Sequence, residues 1–529
     1  MKVKNLCTTL IMVMSINLFA QKVNHTEIFK DNNAIITVNL IQDVYYENYD
    51  NKNAKETLEF ISDGDGTVYT FDSLSTIPTS GVEKLFSNSF IVNTSFTISN
   101  GDILKINNND TIILSNGVTI NIEGYADFTP SDTALVTRSD ASANPKGIYI
   151  KGDNSRATIQ NMRFEYAGIK SSSPIGIEIR NCTFTLVNTK LSSSAINLLN
   201  GNNVIENCIF ISNQSSAVAS GSNVSCSLSF KYNYLYDNNT NNTNRPQINM
   251  GPSGDGTIEI VGNVIIGAQR SKVGGIGVAN LLGVSGVNNV IISDNFVNNC
   301  RYGITTNGKM NALISNNQII DNKYDPDPMT GGSGISIYDQ NNIQNTMITG
   351  NHIEENLWGI TIVSGGNVNI GKLCVDSTDS EFNPGLNVFV NNGNNGILYD
   401  LYNNSPNTIY AQGNTWNVEV QDSVSIEEVI YHKNDDPNLG EVIFMYHPDN
   451  VYTDDFYNSE FNYFINNNKI YFYDQIPSNI NIYNINGSIV YSINNNTNNI
   501  ISLENIMPGI YILNILSNNK EYNSKIIIN

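Results

Sequence analysis

Apolar residues occur at every second position in short segments along most of this chain, and one such segment keeps returning. Its tightest copies are Ile159-Gln-Asn161-Met-Arg-Phe164, Ile179-Arg-Asn181-Cys-Thr-Phe184 and Ile205-Glu-Asn207-Cys-Ile-Phe210. Looser copies, again ending on asparagine, are Val261-Gly-Asn263, Ile292-Ser-Asp-Asn295, Ile314-Ser-Asn-Asn317, Ile348-Thr-Gly-Asn351 and Ile409-Tyr-Ala-Gln-Gly-Asn414. Successive copies lie roughly 20 to 35 residues apart, which is the period of stacked repeat proteins. An apolar spacing of two predicts strands rather than helices.

A second repeated segment starts on glycine and continues as a strand. Its copies are Gly147-Ile-Tyr-Ile150, Gly303-Ile-Thr-Thr306, Gly334-Ile-Ser-Ile337 and Gly359-Ile-Thr-Ile362. Short strands that repeat with glycine and asparagine between them are typical of a solenoid of stacked parallel strands. The pattern therefore predicts an all-β fold, a parallel β-helix, for most of the chain.

The recurring asparagines suggest a ladder of side-chain amides. A tight corner between two strands favours a residue that tolerates left-handed backbone angles, and an inward amide can bond to its copy about 4.8 Å away in the next coil. We predict that Asn161, Asn181 and Asn207 stack in this way, with the isoleucine two positions before each stacked in the core. On this hypothesis Asn181→Leu costs a few kcal/mol. The alternative is that asparagine is merely common in the loops of this protein.

Charge and targeting signals indicate an exported protein. The net charge is -21, which argues against nucleic acid or an anionic membrane as a partner. Lys2 and Lys4 precede an apolar run ending at Phe19, and Ala20 follows, so residues 1–20 are predicted to be a signal peptide. The run is too short to span a membrane, and no other stretch is predicted to be a transmembrane segment.

Five cysteines remain after the predicted cleavage, and their spacing fits neither a zinc site nor a redox site. Cys182 and Cys208 follow the repeated asparagine directly, so we expect them to stack as small core residues. A disulfide between these two remains an alternative. The acidic stretch Asp63-Gly-Asp-Gly66 suggests calcium but lacks the later acidic ligands of a binding loop, and a turn is the preferred interpretation. No metal or other cofactor is expected.

Composition shifts divide the rest of the chain. Residues 21–95, richer in tyrosine and acid, are predicted to form an N-terminal β cap, because a solenoid exposes strand edges at an open end. The β-helix itself is predicted over 96–420, followed by a closing cap and linker over 421–460. Residues 461–529 alternate strongly around Asn486-Gly487, a hairpin signal, and are predicted to form a small β-sandwich.

Two resemblances become specific at this point. The tail resembles the C-terminal sorting domain of type IX secretion cargo, through Ile482-Tyr-Asn-Ile-Asn-Gly-Ser-Ile-Val490, Met507-Pro-Gly-Ile-Tyr511 and the basic-then-apolar ending Lys525–Asn529. This implies handling by the type IX secretion machinery and a final location in the medium or on the outer cell surface. Residues 96–420 resemble the right-handed parallel β-helix repeat proteins, whose fold is shared with pectate lyases and polygalacturonases. The segment Asn407–Trp416 and the following Asp435–Gly440 resemble the closing coil and cap of exported members.

The resemblance says nothing about chemistry, so candidate residues come from the predicted stacking. A glycoside hydrolase needs carboxylates facing one groove, and a polysaccharide lyase needs a base. The paired Asp, Gly-His-Gly and Arg-x-Lys signatures of polygalacturonases are absent from the repeats. Residues before the repeated asparagine are predicted to form one outward column: Gln160, Arg180, Glu206, Gly262, Asp294 and Asn316. Arg163 and Glu165 are predicted beside it, which makes Arg163, Glu165, Arg180 and Glu206 the catalytic candidates. The alternative is a surface ion pair.

Tyrosines offer a ligand-binding candidate. Phe230, Tyr232, Tyr234 and Tyr236 alternate, so they are predicted to share one face of a strand. If that face is exposed, the tyrosines form a platform for sugar rings; if it points inward, they belong to the core. Three functions follow: non-catalytic binding of an extracellular glycan or other ligand, which we favour, a lyase or hydrolase, and a structural or adhesive surface protein.

Overall fold

The computed structural model describes residues 24–31, 34–41, 59–188, 191, 193–280, 286–325, 327, 331–339, 344–445, 463–466, 469–472, 476–484, 487–503, 506, 509–517 and 520–528. The chain divides into two compact units, 1–446 and 447–529. The predicted signal peptide lies outside the described residues.

Successive coils of the first unit contribute short strands, in a fixed order along the chain, to three long sheets in which neighbouring coils pair in parallel. We call them the first, second and third sheet. In the third of these, Val82–Phe86 is added antiparallel to Ser89–Val92. The first contains Phe60–Ile61, Phe96–Ile98, Thr119–Ile122, Gly147–Ile150, Gly168–Ser171, Ser194–Leu198, Ser216–Ser220, Ile248–Met250, Ile276–Asn280, Ile304–Gly308, Ser333–Tyr338, Trp358–Val363, Leu401–Asn404 and Ile430–Tyr431. The second contains Val68–Thr70, Ile103–Ile106, Tyr125–Phe128, Arg156–Gln160, Ile177–Arg180, Asn202–Glu206, Ser227–Lys231, Thr257–Val261, Asn288–Ser293, Met310–Ser315, Gln344–Thr349, Asn367–Gly371, Ile409–Ala411 and Val442–Ile443. The third contains Val82–Phe86, Ser89–Val92, Thr111–Leu114, Ala134–Arg138, Met162–Glu165, Thr183–Thr185, Ile209–Ile211, Tyr234–Tyr236, Val264–Ile266, Phe296–Asn298, Gln318–Ile320, His352–Glu354 and Val388–Val390.

The strands form a right-handed parallel β-helix, as predicted, but the stack is longer than the predicted 96–420. It begins at Phe60–Ile61 and ends at Val442–Ile443. Much of the predicted caps therefore belongs to the same three sheets. Two short helices lie at the ends, Phe71–Ser75 and Ser423–Glu427. Side chains cap both N-termini, which satisfies amides that the helix itself leaves unpaired.

Two hairpins complete the unit: Asn24–Asp31 with Ala34–Ile41, and Gly393–Asn394 with Ile397–Leu398.

Inward side chains stack in columns along the axis. Ile159, Ile179 and Ile205 pair in register on the second sheet and are fully buried, as predicted. On the third sheet the rings of Phe164, Phe184 and Phe210 follow one another with centroids 4.8 and 5.1 Å apart and nearly parallel planes. The alternating apolar pattern therefore fills a continuous core.

The predicted amide ladder exists, but it lies one residue later than the tightest copies suggested. Asn161, Asn181 and Asn207 stack at the corner after the second sheet with φ near +54°, at the protein surface. The next position points inward, and there Cys182 and Cys208 are buried as predicted, with free thiols. Burial raises the pKa of the Cys182 thiol well above its usual value.

The ladder begins one coil after these cysteines. The inward asparagines of this column are Asn233, Asn263, Asn295, Asn317, Asn351, Asn387 and Asn414. From Asn233 to Asn387, each Nδ2 donates to the Oδ1 of the asparagine in the next coil over 2.8–3.0 Å. The looser sequence copies marked this ladder correctly, from Asn263 to Asn414, because their asparagine is the residue after the left-handed corner, the position that Cys182 and Cys208 hold in the earlier coils.

A second ladder follows the corner after the third sheet and ends on a carboxyl group. Asn322 donates to Asn356 over 3.2 Å, and Asn356 to Asn392 over 3.0 Å. Asn392 then donates to Asp400, which is fully buried and also accepts the backbone N–H of Asn417 over 2.8 Å. Burial raises the pKa of Asp400 to about 7.

The repeated glycines are required by close approach of neighbouring coils. A Cβ atom on Gly303 would lie 2.4 Å from the carbonyl oxygen of Gly334, and one on Gly359 would lie 2.3 Å from that of Asp400. No side chain fits at these positions without moving the backbone of the next coil.

The second unit consists of two small antiparallel sheets. One contains Tyr463–Asn466, Lys469–Phe472 and Ile500–Ser502; the other contains Ile489–Asn494, Asn479–Asn484, Gly509–Ser517 and Lys520–Ile528. The predicted hairpin joins Asn479–Asn484 to Ile489–Asn494. Ile470 of one sheet and Ile480 and Leu513 of the other belong to one buried cluster. In the described part of the chain, helices are too short or too polar to cross a bilayer.

Candidate functional site

Tyr232 occupies the left-handed corner after the second sheet, where a bulky residue is unusual. Its φ is +58°, whereas asparagine, glycine or aspartate holds the corner in the neighbouring coils at Asn181, Asn207, Gly262 and Asp294. Left-handed backbone is uncommon outside glycine, asparagine and aspartate, and such an outlier suggests a function when nothing structural requires it.

The Tyr232 ring lies on the next coil and remains open to solvent. A Cβ atom on Gly262 would be 2.7 Å from two carbons of this ring, so only glycine provides the space beneath it. The side chain is nevertheless 62% exposed. One face of an aromatic ring is therefore fixed against the backbone while the other is available to a ligand.

Charged side chains border this corner on the second sheet. Arg180 Nε lies 3.1 Å from a carboxylate oxygen of Glu206, and Arg180 Nη1 lies 2.7 Å from one of Glu178. Glu206 and Lys231 pair in register, and Lys231 forms an ion pair with Glu259 in the following coil. The predicted neighbours Arg180 and Glu206 are thus adjacent, and they belong to a network of alternating charge.

Hydrogen bonds within this network favour the positively charged form of Arg180. The hydrogen bond with Glu178, and then that with Glu206, raise the pKa of Arg180 above its already high value, although partial burial opposes the shift. Arg180 is therefore held as a cation.

Arg163 and Glu165 do not belong to this cluster, contrary to the prediction. They lie on the third sheet, beyond the corner, and form an ion pair of 2.5 Å with side chains only 12% and 9% exposed. Thr137 Oγ1 donates to Glu165 over 3.3 Å. The chain turns between Gln160 and Met162, so residues that are close in sequence face different directions.

The predicted outward column also mixed two columns. Gln160, Arg180 and Glu206 end their second-sheet strands, whereas Gly262, Asp294 and Asn316 occupy the left-handed corner one residue later. The column of strand ends continues instead as Lys231, Val261, Ser293 and Ser315. The error has the same cause as the misplaced ladder: the repeated asparagine is the corner residue in the earlier coils and the inward residue after the corner in the later ones.

The four alternating aromatics do not share a strand. Phe230 is buried in the core, Tyr232 is at the corner, and Tyr234 and Tyr236 are half-buried on the outer face of the third sheet. The second-sheet strand ends at Lys231, so the alternation of side-chain direction that starts at Phe230 does not continue to the tyrosines. Of the predicted ligand-binding tyrosines, Tyr232 is the one with an exposed ring.

The acidic turn near the N-terminus uses its glycines for another purpose. Asp102 accepts the backbone N–H groups of Gly64, Gly66 and Thr67 over 2.8–2.9 Å. Burial opposes the shift, but hydrogen bonds from Ser62 and these amides lower the pKa of Asp102. The stretch behaves as a turn held by a carboxylate. Within the described ranges, three or more metal-ligating side chains are not grouped anywhere.

Two sequence families match parts of this chain. Residues 280–372 match the Right handed beta helix region, and residues 461–529 match the Secretion system C-terminal sorting domain. The chain is a right-handed parallel β-helix protein with a type IX sorting domain. The sorting domain indicates a secreted or cell-surface protein.

Solved structures of the periplasmic alginate epimerase AlgG resemble this β-helix protein in fold. One mutant of it is 12% identical with a TM-score of 0.38, and the epimerase without mutation is 14% identical with a TM-score of 0.32. Both comparisons cover 72% of this chain and 84% of the other. Among curated proteins, none matches the sequence.

The seating of Tyr232 on Gly262 was missed in the sequence, although a signal existed. Tyr232 lies two positions after the inward residue Phe230, and Gly262 lies two positions after the inward residue Ile260. This is the corner position that Asn181 and Asn207 occupy in the earlier coils. A tyrosine where the repeat has asparagine, followed one coil later by glycine, identifies the site once the corner column is aligned.

Proposed function

We propose that this protein is a secreted β-helix that binds a glycan without cleaving it, at the corner around Tyr232. The observation that carries the proposal is the exposed side chain of Tyr232, whose ring lies against Gly262 of the next coil and whose backbone is left-handed. Sugar rings present an apolar face that packs on aromatic rings, and hydroxyl groups that bond to polar neighbours.

The surroundings of Tyr232 support a glycan as ligand. The exposed amides of Asn181 and Asn207 lie in the same corner column, and Glu206 and Lys231 lie beside it. These groups offer both donors and acceptors to hydroxyl groups. The charges nearby are mutually paired, so the site has no strong preference for an ionic ligand.

The same contacts argue against catalysis here. A hydrolase needs one carboxylic acid and one carboxylate placed around a bond, whereas Glu178 and Glu206 both bond to Arg180. A lyase needs a base, and Arg180 is held as a cation.

Retention on insoluble cellulose, chitin and curdlan tests the proposal, with reducing ends and unsaturated products followed in the same samples. Native protein is expected to bind at least one polymer and to release no product. Tyr232→Asn, which keeps a residue suited to the corner, should abolish retention, and Tyr232→Phe should preserve it. Leu386→Ala is the matched control, because Leu386 is equally exposed at 62% in the same corner column, with φ +59°.

Two results would reject this function. Retention that survives Tyr232→Asn would place binding elsewhere. Product formation that disappears in Arg180→Ala or Glu206→Gln would establish the alternative, a polysaccharide lyase or hydrolase.

A further inference from the structure

The second sheet changes character two coils after Tyr232. Nine outward positions on three successive strands carry no charge, in a chain whose net charge is -21. We call them the amide face; they are Asn289, Ile291, Ser293, Asn311, Leu313, Ser315, Asn345, Met347 and Thr349. The strands before them carry the charges of Arg180, Glu206, Lys231 and Glu259.

The exposed asparagines of the amide face form a third ladder, on the outside of the protein. Asn345 Nδ2 donates to Asn311 Oδ1 over 3.1 Å, and Asn367 Nδ2, one coil further, donates to Asn345 Oδ1 over 3.1 Å. These bonds hold the exposed side chains in one orientation, so a ligand orders little on binding. Each amide keeps further donor or acceptor capacity toward solvent.

Apolar side chains run beside this ladder. Ile291, Leu313 and Met347 pair in register and are half-exposed, and the smaller hydroxyl side chains of Ser293, Ser315 and Thr349 form the next column. Polar and apolar columns thus alternate across the sheet, each repeating about every 4.8 Å along the axis.

From these observations we infer that the ligand bound at Tyr232 is a long, uncharged polysaccharide that continues along the β-helix axis over the amide face. This inference rests on the proposed function. Tyr232 and the strand that contains Thr349 are four coils apart, or about 19 Å. A chain of neutral sugars meets this surface with hydroxyl groups over the amides and ring C–H groups over the apolar column. Two carboxylates border this path: Asp294 at the corner, and Glu259, which is in register with Ile291 and forms an ion pair with Lys231.

Oligosaccharides of defined length test the inference. The probes are the trimers and hexamers of cello-, chito- and laminari-oligosaccharides, titrated calorimetrically against the full mature protein. A hexamer of the preferred series should bind about tenfold tighter than its trimer, because only the hexamer reaches the amide face. The variant Asn311→Asp with Asn345→Asp should reduce hexamer affinity to the trimer level and leave trimer binding unchanged.

The control variant carries the same added charge elsewhere. Asn223→Asp with Asn241→Asp changes two exposed turn residues and should bind both probes like the native protein. Equal affinity for trimer and hexamer would overturn the inference and leave the proposed function standing. A loss of trimer binding in the Asn311 and Asn345 variant, when its melting is native-like, would also overturn the inference, because the trimer would then depend on the amide face itself. Failure of every probe and every insoluble polymer would reject the proposed function, and this inference with it.

Discussion

Replacement of one inward asparagine, Asn317→Leu, should destabilise the β-helix by about 4 kcal/mol. Asn317 Oδ1 accepts from both the backbone N–H and the side-chain Nδ2 of Asn295, over 3.0 and 2.9 Å. Its Nδ2 donates over 2.9 Å both to the carbonyl oxygen of Ile292 and to Asn351 Oδ1. All these groups are fully or almost fully buried.

The magnitude follows from the groups that leucine leaves without a partner. Two donors of Asn295 lose their acceptor, and each buried unsatisfied group costs about 1–3 kcal/mol. The two acceptors, the carbonyl oxygen of Ile292 and Asn351 Oδ1, each lose one donor, at a smaller cost. Leucine is also somewhat larger than the space that asparagine occupies. The gain from burying more apolar surface does not offset these losses.

Asn181→Leu is the matched control, because it makes the same chemical change at the outer corner. Here the cost is the left-handed backbone, about 1 kcal/mol, and the protein already accommodates Leu186 and Leu386 with φ of +54° and +59°. This replaces the larger cost that the sequence pattern predicted for Asn181→Leu.

Guanidinium unfolding midpoints of both variants and the native protein, followed by far-ultraviolet circular dichroism, provide the comparison. Because solenoids can unfold in parts, amide exchange of the coils around Asn317 should accompany the midpoints. A midpoint for Asn181→Leu as low as that for Asn317→Leu would refute the assignment of the ladder.

Four further outcomes are expected. Tyr232→Asn should raise stability by about 0.5–1 kcal/mol in thermal melts while it abolishes glycan retention, because asparagine suits left-handed backbone; a lower melting temperature would contradict the strain argument. The pKa of Asp400 is about 4 in the unfolded chain and about 7 in the folded protein, so between these pH values only the folded state binds the proton. The free energy of unfolding should therefore fall as pH rises from about 4 to 7, by at most about 4 kcal/mol. Asp400→Asn should remove this slope, and a slope that persists in unfolding curves would exclude Asp400 as its source. Arg180→Ala and Glu206→Gln should each change the unfolding free energy by less than about 1 kcal/mol, as for exposed ion pairs; a larger loss would mean that the network is structural. Deletion of residues 461–529 should retain the protein in the periplasm, and its appearance in the medium would contradict the sorting role.

The sequence alone determined the architecture of this protein. Alternation of apolar residues identifies strands because side chains of a strand point to opposite faces, and repetition of one segment identifies a stack of coils. It also determined that Ile159, Ile179 and Ile205 share a core column, and that the tail forms a separate unit with a sorting signal. These features depend on patterns that extend over many residues, so local errors do not change them.

Tertiary structure decided what happens at the corners. Ile-x-Asn and Ile-x-x-Asn look alike in sequence, yet the asparagine of the first lies at the exposed corner, as Asn181 does, and that of the second lies one position later in the buried ladder, as Asn295 does. The same turn separates Arg163 from Arg180 and exposes Tyr232 while Phe230 is buried. A corner interrupts the two-residue alternation of side-chain direction. Beyond the corner, the direction of each side chain depends on the backbone angles of the single corner residue and on whether the neighbouring coil leaves space for that residue.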